Sequence, residues 1–109
     1  MNISLDFDGT MRHVHTLAER FIAFGDTVFI VTSRLESRDN SVVFEWADEL
    51  GIKRENVHFT NQQLKLDKLH ELNIDVHFDD DLIEVDEINT NSERCRAILV
   101  NFKHSYAND

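Results

Sequence analysis

Apolar residues along the chain follow two different spacings, and each spacing indicates one kind of secondary structure. Residues 28–31, VFIV, are apolar at every position, which is typical of a strand covered on both faces of a sheet. Over 14–22, by contrast, apolar residues recur every three or four positions, which predicts a helix with one buried face. Gly25 and Gly51 follow helical stretches of this kind and are suited to end them.

Five strands and four helices alternate in this interpretation. The predicted strands lie near 3–5, 28–31, 57–59, 76–78 and 97–100, and the predicted helices lie near 14–22, 42–50, 66–72 and 82–91. The alternation predicts an α/β fold, a Rossmann-like three-layer α/β/α arrangement around a five-stranded parallel sheet. We expect the 109 residues to form a single domain, 1–109, because a chain of this length has one modest core.

Polar residues gather where the predicted strands end. Ligands bind beyond the carboxyl ends of the strands in open parallel sheets, so these positions are candidates for a site. Acids follow the first and fourth strands, hydroxyl and cationic residues follow the second, and a lysine precedes the third helix. These residues are Asp6, Asp8, Thr32, Ser33, Arg34, Lys65, Asp79, Asp80 and Asp81. Their distribution predicts one functional site at that edge of the sheet.

Asp6 and Asp8 are the most informative pair, because their carboxylates point the same way at a strand end and Gly9 lets the backbone turn behind them. At a separation of about 4 Å, two like charges repel by roughly 4 kcal/mol at an effective dielectric constant near 20. Such a pair usually persists because a cation lies between the carboxylates, or because one of them is kept protonated. An ordinary turn with an acidic rim is the alternative interpretation.

Charge and composition restrict the class of protein. A formal net charge of −10 argues against general binding to nucleic acid or to an anionic membrane. The single cysteine excludes an intrachain disulfide and suits a reducing compartment. No apolar run approaches the ~20 residues of a membrane span, and Asp6 would lie inside any cleavable leader. We therefore expect a cytoplasmic protein with no membrane partner.

Six of these positions fall in four short segments that, taken together, resemble the four motifs of the haloacid dehalogenase-like (HAD) hydrolases. Residues 6–10, DFDGT, are similar to the first motif, DxDGT, and Thr32 closes an apolar strand as the second motif does. Lys65 resembles the third motif, and residues 78–80, FDD, resemble the paired acids of the fourth. The motifs occur in the family's chain order and the resemblance spans about residues 2–81, so it implies a HAD-like fold.

The resemblance implies a phosphatase that acts through an aspartyl-phosphate intermediate. Asp6 would be the nucleophile, and the covalent intermediate would split hydrolysis into two easier displacements. Asp8 would protonate the leaving oxygen and then activate water, a role that needs a raised pKa, which crowding by the other carboxylates can supply. Thr32 would donate its hydroxyl to a phosphoryl oxygen, and Lys65 would offset negative charge in the transition state.

A magnesium ion is also implied by the resemblance. Asp6, the backbone carbonyl of Asp8, and Asp80 would hold it, with Asp79 as a supporting group. These are oxygen ligands, which Mg²⁺ prefers over the nitrogen and sulfur ligands typical of Zn²⁺. Whether Asp79 or Asp80 contacts the ion directly stays open, and Asp81 is expected to cap the next helix.

Several neighbouring residues compete for roles in substrate binding and catalysis. Gly9, Ser33 and Arg34 are candidates for substrate binding, although Arg34 could equally be a solvated surface residue and the hydroxyls could serve a turn. Lys68 competes with Lys65 as the catalytic lysine, because it lies one helical turn away. We favour Lys65, since it is nearer to the carboxyl end of the third strand.

The chain has no room for a cap domain over the site. HAD caps enter after the first motif or after the third strand, and here 9–28 holds one helix and 59–65 only a short loop. An open site would suit a phosphorylated substrate that is large or protruding. Alternatively, another subunit, such as a second copy of the chain in a homo-oligomer, would cover the site.

Two other classes of function remain open. One is a HAD-like fold that binds metal or a partner without turnover. The other is a phospho-accepting receiver domain, which also combines an acidic cluster with Mg²⁺, a hydroxyl residue and a lysine. In receivers the paired acids come first and the phosphorylated Asp lies on the third strand, whereas here that strand ends in Thr60 and the paired acids follow Lys65.

Overall fold

Five parallel strands form the sheet of the protein in a computed structural model, which describes residues 1–100. Their order across the sheet is β3-β2-β1-β4-β5, so the first strand is central. The strands are β1 (Asn2–Leu5), β2 (Thr27–Thr32), β3 (Val57–Phe59), β4 (Val76–Asp79) and β5 (Arg96–Leu99). Every neighbouring pair is parallel, which confirms the predicted α/β fold with a five-stranded parallel sheet.

Helices occupy the connections between successive strands, as the apolar spacing predicted. They are α1 (Met11–Ala23), α2 (Ser41–Leu50), α3 (Leu66–Glu71) and α4 (Leu82–Asn91). A short 3₁₀ helix, Arg54–Asn56, was not predicted, because its three polar residues carry no apolar period. Helix α3 also ends earlier than predicted, since Leu72 caps it and Asn73 turns the chain at a φ of 57°.

Two apolar cores, one on each face of the sheet, give the predicted three layers. Helices α1 and α2 pack on one face, where Val14 and Val43 are buried against Ile3 and Ile30 of the strands. Helices α3 and α4 pack on the other face around Val31, with a core that also includes Leu69, Ile74, Val85, Ile88, Cys95 and Ala97. Helix pairs on opposite faces match the strand order, because β2 and β3 are added on one side of β1 and β4 and β5 on the other.

A buried polar strip interrupts the second core along β1 and β4. Ser4 and His77 are direct partners in the register of these two strands, and both are fully buried. Side chains alternate along a strand, so residues two positions further on point to the same face. Those residues are Asp6 and Asp79, and the strip therefore leads from the centre of the sheet to its carboxyl edge.

Candidate active site

Asp6 lies at the carboxyl end of β1 with both carboxylate oxygens engaged. Its backbone N–H donates to the carbonyl of Phe78 at 2.9 Å, which joins the two strand ends. Oδ1 accepts a hydrogen bond from Lys65 Nζ at 2.7 Å, and Oδ2 accepts one from Thr10 Oγ1 at 3.2 Å. The carboxylate is thus fixed in orientation although its residue is only 6% exposed.

Lys65 is the lysine that reaches the acids. It precedes α3, and its Nζ lies 2.7 Å from Asp6 Oδ1 and 2.7 Å from Asp79 Oδ2. Its backbone N–H donates to Glu84 Oε1 of α4 at 3.1 Å, which holds the start of α3 against the neighbouring helix. Lys68, the competing candidate, instead pairs with Glu71 on the surface at 3.2 Å.

Asp79 is held by three donors at the end of β4. Besides Lys65, His77 Nε2 lies 2.8 Å from Asp79 Oδ2, and the backbone N–H of Asp81 donates to Oδ1 at 3.0 Å. An ionised carboxylate only accepts hydrogen bonds, so the network assigns the imidazole proton to Nε2. Nδ1 of His77 then accepts from Ser4 Oγ at 2.6 Å. A continuous chain of buried hydrogen bonds therefore runs from Ser4 to Asp6.

Burial and one shared lysine set the charges of this network. Burial raises the pKa of Asp6 to about 7, against the opposing charge of Lys65. Burial would also raise the pKa of Asp79, but the hydrogen bond from His77 and the charge of Lys65 outweigh it and lower that pKa to about 2. Burial lowers the pKa of His77, which keeps the imidazole neutral. Lys65 thus offsets negative charge on both carboxylates, and burial disfavours the charged form of Asp6.

Asp80 supplies a carboxylate that no other residue satisfies. It is half-buried, and within residues 1–100 it makes no hydrogen bond or ion pair. One oxygen each of Asp6, Asp79 and Asp80 lie within 4.8 Å of one another. These three carboxylates could hold a divalent cation that takes oxygen ligands, and the identity of the ion as Mg²⁺ stays a prediction. Asp79 already accepts three hydrogen bonds, from Lys65, His77 and the backbone of Asp81, whereas Asp80 accepts none, so Asp80 is the better candidate for direct contact.

Gly9 makes the close approach of Asp80 possible. Its φ is +76°, in the left-handed region that favours glycine. A Cβ at this position would lie 2.1 Å from Asp80 Oδ2, well inside van der Waals contact. Gly9 therefore shapes the acidic cluster, and its predicted contact with substrate stays a prediction.

Asp8 is paired with Arg34, and this corrects the expected electrostatics. Arg34 Nη2 and Nε donate to Asp8 Oδ1 and Oδ2 at 2.8 and 2.9 Å, and the guanidinium lies 5.1 Å from the centre of the Phe7 ring. We expected crowding by carboxylates to raise the pKa of Asp8. The hydrogen bonds from Arg34 instead hold the pKa of Asp8 below its usual value, and the positive charges of Arg34 and Lys65 act in the same direction.

The hydroxyl residues after β2 differ in their access to the site. Ser33 is exposed and lines a cavity of about 270 Å³ together with Asp6, Asp8, Lys65 and the acids that follow β4. Thr32 is fully buried, and its Oγ1 accepts a hydrogen bond from the backbone N–H of Arg34 at 3.2 Å, which leaves its hydroxyl proton for another acceptor.

Asp81 has the structural role that was predicted for it. Its carboxylate accepts a hydrogen bond from the backbone N–H of Ile83 at 2.9 Å and so caps helix α4. The acidic run after β4 therefore divides into a lysine partner, an unpaired carboxylate and a helix cap.

Four residues of the network were not identified from the sequence, namely Ser4, Thr10, His77 and Glu84. Polar residues at buried positions of two central strands, ISL and VHF, were the available signal for Ser4 and His77. Glu84 lies in a helix with many acids, so nothing in its spacing distinguished it.

No family model matches this chain, and no curated protein matches it. Among residues 1–100, no helix combines the length and the apolar character needed to span a membrane. The function of the chain is therefore inferred from the chemistry of its own site.

Proposed function

We propose that the protein is a HAD-like, magnesium-dependent phosphatase that hydrolyses phosphoric monoesters through an aspartyl-phosphate on Asp6. The observation that carries the proposal is the position of Lys65 Nζ, 2.7 Å from both Asp6 and Asp79 and beside the unpaired Asp80. A buried lysine shared between two acids, next to a third acid, is suited to bind a phosphoryl group together with a cation.

Asp6, Asp80 and the backbone carbonyl of Asp8 would hold Mg²⁺, with Asp79 supporting Lys65. When bound, the ion would neutralise negative charge on the phosphoryl group and on the carboxylates around it. Lys65 supplies a second, fixed positive charge from the protein side. Ser33 lines the cavity at the end of β2 and would donate to a phosphoryl oxygen, whereas Thr32 is fully buried beneath it and would need a local shift to do so.

Asp6 attacks phosphorus in line with the leaving oxygen. The new bond joins phosphorus to a carboxylate oxygen of Asp6, and the ester P–O bond breaks as the leaving alcohol takes a proton from Asp8. In the second step Asp8 removes a proton from water, whose oxygen attacks the same phosphorus. The P–O bond to Asp6 then breaks, and inorganic phosphate and the free carboxylate are restored.

The Asp8–Arg34 ion pair has to break before Asp8 can act as the acid of the first step. The low pKa of Asp8 keeps it ionised in the substrate-free protein, which is the form needed to activate water. To act as an acid, Asp8 has to leave Arg34 and take up a proton. An anionic substrate provides a competing partner for Arg34, so substrate binding and release of Asp8 would be coupled.

Hydrolysis of p-nitrophenyl phosphate tests the proposed function. We expect turnover with Mg²⁺, no turnover in excess chelator, and recovery when Mg²⁺ is restored. Asp6→Asn should abolish turnover, whereas Asp86→Asn, the same substitution at an exposed residue of α4, should not change it. Binding of Mg²⁺ without any hydrolysis would favour the alternative of a domain that binds metal without turnover. Full activity in excess chelator would show that the reaction does not need the metal.

A further inference from the structure

A second cavity of about 250 Å³ adjoins the candidate active site on the side of α1 and α2. Phe7, Met11, Val42 and Trp46 form its apolar part, and Arg12 and Arg34 supply positive charge. We call this cavity the Trp46 cleft. It has no assigned role in the steps described above.

Asp8 connects the Trp46 cleft to the candidate active site, because it lines both cavities. In an in-line displacement, the nucleophile and the leaving oxygen lie on opposite sides of phosphorus. Asp8 contacts the leaving oxygen as its proton donor, so the leaving group extends past Asp8 and away from Asp6. The Trp46 cleft shares Asp8 with the candidate active site, and a leaving group that extends past Asp8 can therefore enter it.

The wall of the cleft is apolar and accessible. Val42 is 40% exposed in the first turn of α2, and Trp46 follows one helical turn later on the same face. The Trp46 indole is half-buried, and the His15 ring lies 5.3 Å from it at a tilt of 46°. A flat aromatic surface beside an exposed valine favours a planar, apolar ligand group over a polyhydroxylated one.

Positive charge at the cleft favours an anionic ligand. Arg12 is exposed and makes no ion pair with any part of the chain that the structure describes. Arg34 is paired with Asp8, which also lines the cleft, so Arg12 supplies the positive charge that is not offset there. Opposite charge of this kind attracts an anionic ester and holds it near Asp8.

We propose that the Trp46 cleft binds the nucleoside part of a nucleoside monophosphate, with the base against Trp46 and Val42 and the phosphate beyond Asp8. The proposal rests on the proposed function, since it takes Asp8 as the group that contacts the leaving oxygen. It identifies nucleotides as the substrate class and Trp46 as a residue that determines specificity. A sugar or glycerol phosphate leaves the apolar wall uncovered.

Fluorescence of Trp46 tests binding without any need for turnover. Trp46 is the only tryptophan in the chain, so its emission reports on the cleft alone. Asp6→Asn in the presence of Mg²⁺ is titrated with adenosine 5′-monophosphate, glycerol 3-phosphate and inorganic phosphate. We expect saturable quenching with the nucleotide only, after correction for absorbance with free tryptophan amide. Equal responses to the nucleotide and to glycerol 3-phosphate, or no response to either, would overturn the proposal.

Kinetic comparison of two substrates separates the aromatic contact from the charge. Trp46→Leu should lower kcat/KM for the nucleotide by roughly tenfold and leave that for glycerol 3-phosphate unchanged, because base–aromatic stacking is lost. Arg12→Gln should lower both values by a similar factor. Arg20→Gln, at the other end of the same helix, is the matched control and should lower neither.

The outcomes distinguish this inference from the proposed function. Quenching by the nucleotide without hydrolysis of any phosphate ester would refute the proposed phosphatase activity but support nucleotide binding in the Trp46 cleft. Hydrolysis with a preference for glycerol 3-phosphate, or an equal loss of kcat/KM for both substrates in Trp46→Leu, would refute nucleotide binding in the Trp46 cleft. Either result would still support the proposed phosphatase activity. Val42→Ser changes an exposed wall residue and gives the same comparison if Trp46→Leu does not fold.

Discussion

Replacing Lys65 with methionine removes the one cation that two buried carboxylates share. The side chain is 2% exposed, and its Nζ donates to Asp6 Oδ1 and to Asp79 Oδ2 at 2.7 Å each. Removing one partner of a buried, hydrogen-bonded charge pair costs about 3–5 kcal/mol, because the remaining charge is left uncompensated. That is a large share of a folding free energy of about 5–15 kcal/mol. We therefore expect metal-free Lys65→Met to be strongly destabilised.

Urea unfolding in chelator measures this loss, and Lys68→Met is the matched control. Lys68 lies one helical turn away and pairs with exposed Glu71 at 3.2 Å, and exposed pairs of this kind contribute only about 0–1 kcal/mol. Mg²⁺ should restore part of the stability of Lys65→Met, because it supplies positive charge to the same carboxylates. Equal losses of unfolding free energy in the two variants would show that Lys65 does not hold the acidic cluster together.

Two further substitutions test the arrangement of the acids around the metal. Asp80→Asn should raise the metal-free melting temperature, since unit charges within 4.8 Å of one another still repel by about 1 kcal/mol after screening, and it should remove much of the stabilisation by Mg²⁺. Lower metal-free stability with a full Mg²⁺ shift would instead make Asp80 a structural residue. Gly9→Ala should abolish turnover and weaken the Mg²⁺ shift, because its Cβ would lie 2.1 Å from Asp80 Oδ2 at a strained φ of +76°. Wild-type activity in Gly9→Ala would refute the close approach of Asp80.

The fold could be predicted because each element has its own apolar spacing. The run at 28–31 is buried on both faces of the sheet, and Gly51, at a φ of +80°, ends α2 as expected. The edge that collects Asp6, Lys65 and Asp80 could also be predicted, since carboxyl ends of parallel strands meet there. The spacing of apolar residues and the polar residues at strand ends were sufficient to predict these features.

Contacts that depend on register and side-chain direction could not be predicted. Ser4 and His77 are 73 positions apart, and their hydrogen bond follows only from the alignment of β1 with β4. The Asp8–Arg34 pair depends on the loop after β2 folding back over Phe7. That pair reversed the expected direction of the Asp8 pKa, because the expectation counted the neighbouring acids and did not include a hydrogen-bonded arginine.

Trapping the phosphorylated enzyme tests the central claim most directly. Asp8→Asn keeps the nucleophile but cannot activate water, so a substrate with a good leaving group should phosphorylate the protein and the intermediate should persist. The variant is mixed with p-nitrophenyl phosphate and Mg²⁺, quenched in acid and mapped by mass spectrometry, with the Asp6→Asn/Asp8→Asn double variant as the control. The account predicts one phosphoryl group, on Asp6, and none in the control. A phosphoryl group on any other residue, or an equal amount in the double variant, would contradict it.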